Sequence, residues 1–476
     1  MNSKKLDPCS GPLAKNILAF SIPLIFSNLL QVLFNMSDIA VVGRFAGSIP
    51  LGSVGSTTQI IFLFTGILIG LGAGINVIAA FYIGSKNSKS LSDTIHTAAF
   101  ICLAAGIILL AAGTILARPI LAAMNTKSEL MEGAVVYLRI YMLGMPAIAI
   151  YNFGNGVLSA TGDTKRPLIF LTVAGIINIL LNLFFVIVCN LGTAGVALAS
   201  IISQYISAAL ILLTMTREEG AANLVIFKIG PNSHMSLKIL KIGLPSGLQN
   251  AVFAFANIFI QTGVNYFDAS MVAGNAAASN ADPLVYDVMN AFYTACATFI
   301  GQNFGAGNRK RVLKSYFISL AYSFTIALVM GVGIFCIGRQ FLSLFSTDAA
   351  VIDAGMQRLS IMSLSYCISA FMDCTIAASR GLGKTGIPSF IVIMGSCVFR
   401  IIWLCTVFAW FRTIPSLFLL YAFSWAITAA AEIAYFIHIY KKNLLLFKGQ
   451  HKFIPDKKSI GTQNPGTDVK PRQRKL

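Results

Sequence analysis

Charge is what this 476-residue chain has least of: 11% of its residues are charged, and only 17 are acidic. Against that scarcity stand 56% hydrophobic residues and a mean hydropathy of +0.78, which exclude an ordinary soluble globular domain. Histidine is nearly absent, with four residues, and the nine cysteines form no CxxC pair and have no histidine nearby at metal-ligand spacing. A disulfide framework and a structural zinc site are thereby excluded, and the cysteines read as small apolar packing residues. Missing too are a nucleophile with its base and orienting partner, a metal-hydrolase motif and a phosphate-binding loop, so no enzyme is expected and no cofactor. The first apolar run, from Ile17, is longer than a signal-peptide core and no small-residue cleavage site follows it, so it is expected to remain as a span.

What the chain has instead is a succession of apolar stretches of about 20 residues, each long enough as a helix to cross a ~30 Å hydrocarbon core. Twelve are predicted, at 17–41, 56–83, 95–117, 134–158, 167–189, 193–215, 241–264, 272–300, 315–338, 357–379, 388–410 and 416–439, the eighth interrupted by Asp282 and Pro283. The fold class is therefore an all-α integral membrane protein with twelve transmembrane helices.

A net charge of +18 invites a nucleic-acid reading, but its distribution answers differently. With the amino terminus inside, 27 of the 35 basic residues fall on one face and six on the other. Both termini are expected to be cytoplasmic by the positive-inside rule, in a cell (inner) membrane and with no nucleic-acid partner. Residues 441–476 hold ten of those basic residues among Pro, Gly, Asn and Gln, with little to bury, and are expected to be a disordered tail.

The two halves of the chain repeat each other. At an offset of 222, Ile17, Pro23, Asn28, Asn35 and Gly52 match Ile239, Pro245, Asn250, Asn257 and Gly274; at 221, Gly84, Asn87, Thr164 and Pro167 match Gly305, Asn308, Thr385 and Pro388. Such duplication is common in transporters. It divides the chain into a cytoplasmic start (1–16), an N-lobe of spans one to six (17–215), a polar linker (216–240), a C-lobe of spans seven to twelve (241–440) and the tail. Six spans per repeat is an even number, so both lobes take the same orientation and can rock about a shared cavity.

Inside the apolar spans run polar stripes. Asn28, Gln31, Asn35 and Asp38 recur at intervals of 3, 4 and 3, on one face of the first helix. The seventh span repeats Asn250, Asn257 and Gln261, but Ile260 stands where Asp38 stands. Further stripes comprise Asn152, Asn155 and Ser159 in the fourth span, Asn178 and Asn182 in the fifth, Ser200, Gln204 and Ser207 in the sixth, and Asp287, Asn290, Thr294 and Thr298 in the eighth. Ser365, Ser369 and Asp373 follow in the tenth. Single polar residues are commonly spent on interhelical hydrogen bonds, worth ~0.6 kcal/mol on average, whereas an intramembrane acid marks a functional site. Gln31, Asn35, Asn152, Asn155, Gln204, Asn257, Asp287 and Asp373 are the candidate lining of a substrate cavity. Arg139 and Arg358 are expected to snorkel to the outer interface, and Arg400 and Glu432 to pair.

Taken together, IPLIFSNLLQVLFNMSDIAVVGRFAG in the first span, LSATGDTKRP after the fourth, NILLN in the fifth and GQNFGAGN in the second lobe resemble the bacterial branch of the multidrug and toxic compound extrusion (MATE) family, over roughly residues 12–445. The resemblance implies a V-shaped, two-lobe transporter that exports cationic amphipathic compounds in exchange for protons or sodium ions. It also implies an ion-coupling pocket on Asp38, Asn178, Asn182 and Ser200. At Asn182 and Ser200 this chain departs from the aspartate and threonine common in the family. Its partners would be a small cationic substrate and the bilayer, with no obligate protein partner. Asp38 would hold a proton, a sodium ion or a cationic drug in turn, because a desolvated carboxylate favours its neutral form until a cation restores the charge. The alternative is a flippase of a lipid-linked saccharide of the MOP type, which calls for cationic residues facing a pyrophosphate; Arg139 and Arg400 are the candidates. A receptor or scaffold does not explain the duplicated polar faces.

Overall fold

A bilayer offers no water to a backbone N–H or C=O, so a spanning chain closes its hydrogen bonds within helices. The computed structural model describes residues 6–450 and is helical almost throughout. In the first half lie α1 (Leu13–Val41), α2 (Ser48–Gly84), α3 (Ser88–Ala123), α4 (Ser128–Met142), α5 (Met145–Ala160), α6 (Lys165–Leu183) and α7 (Gly192–Thr216). The second half holds α8 (Ser233–Val264), α9 (Ala269–Ser279), α10 (Ala281–Gly305), α11 (Arg309–Cys336), α12 (Gly338–Ser343), α13 (Ala349–Gly381), α14 (Gly386–Val392), α15 (Phe399–Trp403), α16 (Ala409–Phe411) and α17 (Ile414–Gln450).

These account for the twelve spans. Among the described residues, nine helical stretches are long and apolar enough to cross a membrane alone, and α4 with α5, bent by 45°, makes a tenth. The remaining two are α8, which carries Lys238, Lys241 and a run of polar residues, and the pair α9 and α10. The eighth span does break, at Asn280 rather than at Pro283. Pro283 lies in the first turn of α10, where its missing N–H leaves no helical bond unmade. The linker between the repeats is shorter than expected, because α8 already begins at Ser233 with the Asn232 side chain accepting from Met235 N. At the other end α17 continues to Gln450, past the expected start of the tail at 441; residues 451–476 lie outside the described range. Contacts group residues up to Phe436 into one unit and those from Ile437 into another.

Within the first unit the repeats meet where α1 and α2 pack on α8 and α10. The contact depends on missing side chains. A Cβ on Gly70 would come within 2.3 Å of Gly247 N, one on Gly74 within 2.7 Å of Gly243 N, one on Gly84 within 1.9 Å of Gln302 O and one on Gly305 within 2.1 Å of Phe81 O. Small residues at such crossings let helix backbones approach closely where lipid supplies no hydrophobic drive. Beside the seam, Leu13, Ile17, Phe20 and Leu24 pack against Ala291, Phe292, Ala295 and Phe299, with the Phe20 and Phe299 rings edge to face at 5.5 Å. Polar ties cross it as well: Thr298 Oγ1 donates to Asn76 Oδ1 at 2.8 Å, Gln302 Nε2 to Ala160 O at 2.6 Å and Asn28 Nδ2 to Asp287 O at 2.7 Å.

The amino-terminal segment bridges the same two repeats. Arg311 donates to the carbonyls of Pro8, Ser10 and Gly11, each at 3.0 Å, and to Asn303 Oδ1 at 3.2 Å. Asn303 Nδ2 also reaches Pro8 O, while Leu6 N donates across to Gly162 O of the first repeat.

Replacing Gly84 with valine is expected to push the repeats apart, since the clash is with backbone and overpacking of this kind costs about 1–3 kcal/mol. Pulsed dipolar distances between spin labels at Ser88 and Lys310 should lengthen and broaden; an unchanged distribution would show that the seam tolerates a side chain there.

Candidate functional site

Phe34, one turn before Asp38, determines where that acid sits. Its ring lies on Gly175 of α6, where a Cβ would overlap the ring at 1.8 Å. Only glycine admits the ring, and the contact draws α1 against α6. One and two turns further along α6 come Asn178 and Asn182, on the face that α1 now covers.

Asp38, Asn182, Asn178 and Ser200 consequently close a ring of hydrogen bonds. Asn182 Nδ2 donates to Asp38 Oδ1 at 2.5 Å and to Asn178 Oδ1 at 3.2 Å. Asn178 Nδ2 donates to Ser200 Oγ at 3.4 Å, and Ser200 Oγ donates to Asp38 Oδ2 at 3.1 Å. Asp38 is half-buried and its three partners are buried. Each carboxylate oxygen thus receives one donor, an arrangement that serves the ionised acid. One oxygen in the ring, Asn182 Oδ1, is buried and has no hydrogen-bond partner.

Two features around the ring escaped the sequence. The first is a pair of π-helical turns, Val42–Ala46 after α1 and Phe184–Val188 after α6, which begin just past Asp38 and Asn182 and pack on each other. π-turns of this kind occur frequently at functional sites and leave no local sequence signature. The second is the Tyr137–Tyr141 pair on α4, stacked at 6.0 Å and packed with Val41, Val42 and Val186 beside the ring. Its i, i+4 spacing was the available signal.

Among the described residues, the second repeat carries no such ring. Ile260 takes the place of Asp38, and at the 221-residue offset Phe399 and Trp403 stand for Asn178 and Asn182. Ile260 is buried in an apolar cluster with Leu417 and Phe418, against which Trp403 packs.

Among the described residues, no hydrogen bond joins the other candidate residues to one another. Gln31, Asn35 and Asn257 are exposed, while Asn152, Asn155, Gln204 and Asp287 are half-buried. Asn152 spends its amide on Ile148 O of its own helix, and Asn155 Oδ1 accepts from Ser159. Asp373 is buried, and its Oδ2 meets no hydrogen-bond partner. Arg358 does not snorkel: it is buried, paired with Asp282 at 2.5 Å, and lies over the Phe418 ring at 5.6 Å. Arg139 is exposed and donates to Thr114 O at 3.3 Å. Arg400 does not pair with Glu432 either. It donates to Ser424 Oγ and stacks over Tyr421 at 4.5 Å, and both Glu432 carboxylate oxygens are buried without a partner. Among the described residues no group of three or more His, Cys, Asp or Glu could hold a metal ion.

Two six-span repeats joined along a glycine seam, with one polar ring set into a single repeat, define a polytopic membrane transporter of the twin-repeat class. The MatE family model matches residues 23–184 and matches again at 245–406, starting 222 residues further on, which is the internal offset of the sequence. The chain belongs to the multidrug and toxic compound extrusion (MATE) family. It is 30% identical over 367 residues to the Probable multidrug resistance protein YpnP of Bacillus subtilis (strain 168), covering 76% of this chain and 81% of that one. It is 24% identical over 348 residues to the FAD transporter of Shewanella oneidensis, covering 72% and 77%. A solved structure of a MOP superfamily transporter from Pyrococcus furiosus Vc1 (DSM3638), described as having a binding pocket of reverse polarity, has the same fold. Its TM-score is 0.86, with 20% identity over 93% of this chain and 99% of that chain.

Asn182→Ala is expected to lower stability by about 1–3 kcal/mol, the penalty for leaving buried acceptors without a donor. In thermal unfolding of the detergent-solubilised chain, the Asp38→Asn/Asn182→Ala double variant should lose less than the sum of the two single variants. Strict additivity would mean that the two side chains do not interact.

Proposed function

We propose that the chain is a secondary active transporter exporting cationic amphipathic compounds by antiport with protons or sodium ions, through alternating access of its two repeats. The observation that carries this reading is the ring on Asp38: a carboxylate held by donors on both oxygens in one repeat, opposite an apolar counterpart at Ile260 in the other. Ion and drug compete for one negative charge, and exchange follows from that competition. The ring supplies what either coupling ion needs: the Asp38 carboxylate accepts a proton, and the oxygens of Asp38, Asn178, Asn182 and Ser200 are the hard donors a sodium ion takes. Asn182 Oδ1, buried without a partner, is the oxygen left over for an ion. A cation moving down the membrane field gains ~2.3 kcal/mol per 100 mV, enough to bias the equilibrium between two states strongly.

The transporter lies in the inner membrane with both termini cytoplasmic, the orientation favoured by its basic residues. A flippase of a lipid-linked saccharide is favoured less, because it requires cations presented to a pyrophosphate. Of the two candidate cations, Arg400 is buried and engaged with Ser424 and the Tyr421 ring, and Arg139 donates to Thr114 O.

In vesicles loaded with a fluorescent cation, pH and sodium gradients imposed separately should each be tested for drive. Asp38→Asn is expected to abolish the response to whichever gradient works while the protein still inserts and folds. Unchanged coupling in that variant would remove Asp38 from the mechanism.

A further inference from the structure

Between α7 and α8 the chain makes a short helical turn, Ile226–Lys228, whose tip is apolar. Phe227 is 100% exposed, and Ile226 beside it is largely exposed. Leaving such side chains in water forgoes about 1.5–3 kcal/mol each, so a tip that displays two of them together is suited to an apolar surrounding. The turn is firmly held. Leu224 is buried and its N–H donates to Met215 O at 3.0 Å, and Val225 N donates to His96 Nε2 at 3.0 Å. His96 is itself buried, and its Nδ1 lies 2.7 Å from Ser92 O; a carbonyl only accepts, so the proton is on Nδ1 and Nε2 is free to receive Val225. Phe227 is therefore displayed by a fixed scaffold.

Its level along the protein follows from α8. That helix shows exposed leucines at 237, 244 and 248, so its lipid-facing stripe begins one turn after its start at Ser233, next to the turn in the chain. Beside the turn lies a cavity of about 500 Å³ lined by Lys89, Ser92, Asp93, His96, Lys228 and Asn232. The first turns of α3 and α8 border it, each with an asparagine cap, Asn87 and Asn232. Two lysines, hydroxyl and amide donors and the positive ends of two long helices favour an anion, while Asp93 opposes one.

We infer that the Ile226–Phe227 turn is a membrane anchor inserted into the leaflet nearest the amino terminus, and that the adjoining cavity binds the phosphate of an anionic lipid headgroup through Lys89 and Lys228. The acyl chains of that lipid would lie beside Phe227 and the α8 leucine stripe, which is why a lipid rather than a free phosphate fits the cavity. The inference does not depend on which compound is exported or on which ion is coupled.

The test uses the full chain in nanodiscs of phosphatidylethanolamine with or without phosphatidylglycerol. Native mass spectrometry should show phosphatidylglycerol retained in preference to phosphatidylethanolamine. Lys89→Gln and Lys228→Gln should each reduce that preference about fivefold, equivalent to ~1 kcal/mol per lysine near an anionic surface. Asp93→Asn should increase it. Hydrogen exchange at residues 224–229 should slow when phosphatidylglycerol is present, and should speed up in Phe227→Ser in either membrane. A retention ratio unaffected by the two lysine variants would overturn the headgroup site. Protection of the turn by inorganic phosphate in phosphatidylethanolamine discs, equal to that given by phosphatidylglycerol, would overturn the lipid as its source. Exchange unchanged in Phe227→Ser would overturn the anchor.

Discussion

Everything in this molecule hangs on backbone meeting backbone. Gly70 against Gly247 and Gly74 against Gly243 bring α2 and α8 together at a separation that no side chain permits. In lipid, where burying another leucine gains little, such close packing is a main source of attraction between helices. The seam also explains why so much hydrogen bonding gathers beside it. With the backbones in contact, Asn76, Thr298 and Gln302 can span the remaining gap with ordinary side chains, and Phe20 meets Phe299 edge to face.

Duplication produced the scaffold, and departure from duplication produced the chemistry. The prolines at 23 and 245, the asparagines at 28 and 250 and the helix-capping asparagines at 87 and 308 recur in both repeats, and all concern shape or packing. Asp38 does not recur. At the position that matches Asp38 the second repeat has Ile260 in an apolar cluster with Trp403 against it. One repeat thus carries an acid in a polar ring, and the other an apolar cluster at the matching position. The second repeat's own charges border that cluster, with Arg358 paired to Asp282 and lying over Phe418 and Arg400 stacked on Tyr421.

How much of this could be read from residues alone depended on whether the signal was periodic. The spans were legible because apolar runs of the right length are local, and the repeat was legible because Gly, Pro and Asn return at a constant offset. The polar stripe from Asn28 to Asp38 followed from helical spacing. The meeting of Asp38 with Asn178, Asn182 and Ser200 was available only through family likeness, since it depends on Phe34 fitting over Gly175, a contact between residues 141 positions apart. Arg358 was misjudged for the same reason. Near a span end it looked free to reach the interface, and Asp282, 76 residues away, is what keeps it inside. The break in the eighth span was expected at proline and came at Asn280, because proline in the first turn of a helix disturbs nothing.

The grip of Arg311 on Pro8, Ser10 and Gly11 acts wholly on main-chain carbonyls. Such a lock reads the course of the chain and not the identity of its side chains, so residues 8 to 11 can drift in sequence without loosening it. It does not tolerate a change of path. A purification tag or fluorescent protein fused to the amino terminus joins the chain next to the segment that bridges the two repeats. A label placed there sits beside a contact shared by both repeats, and not at a loose end.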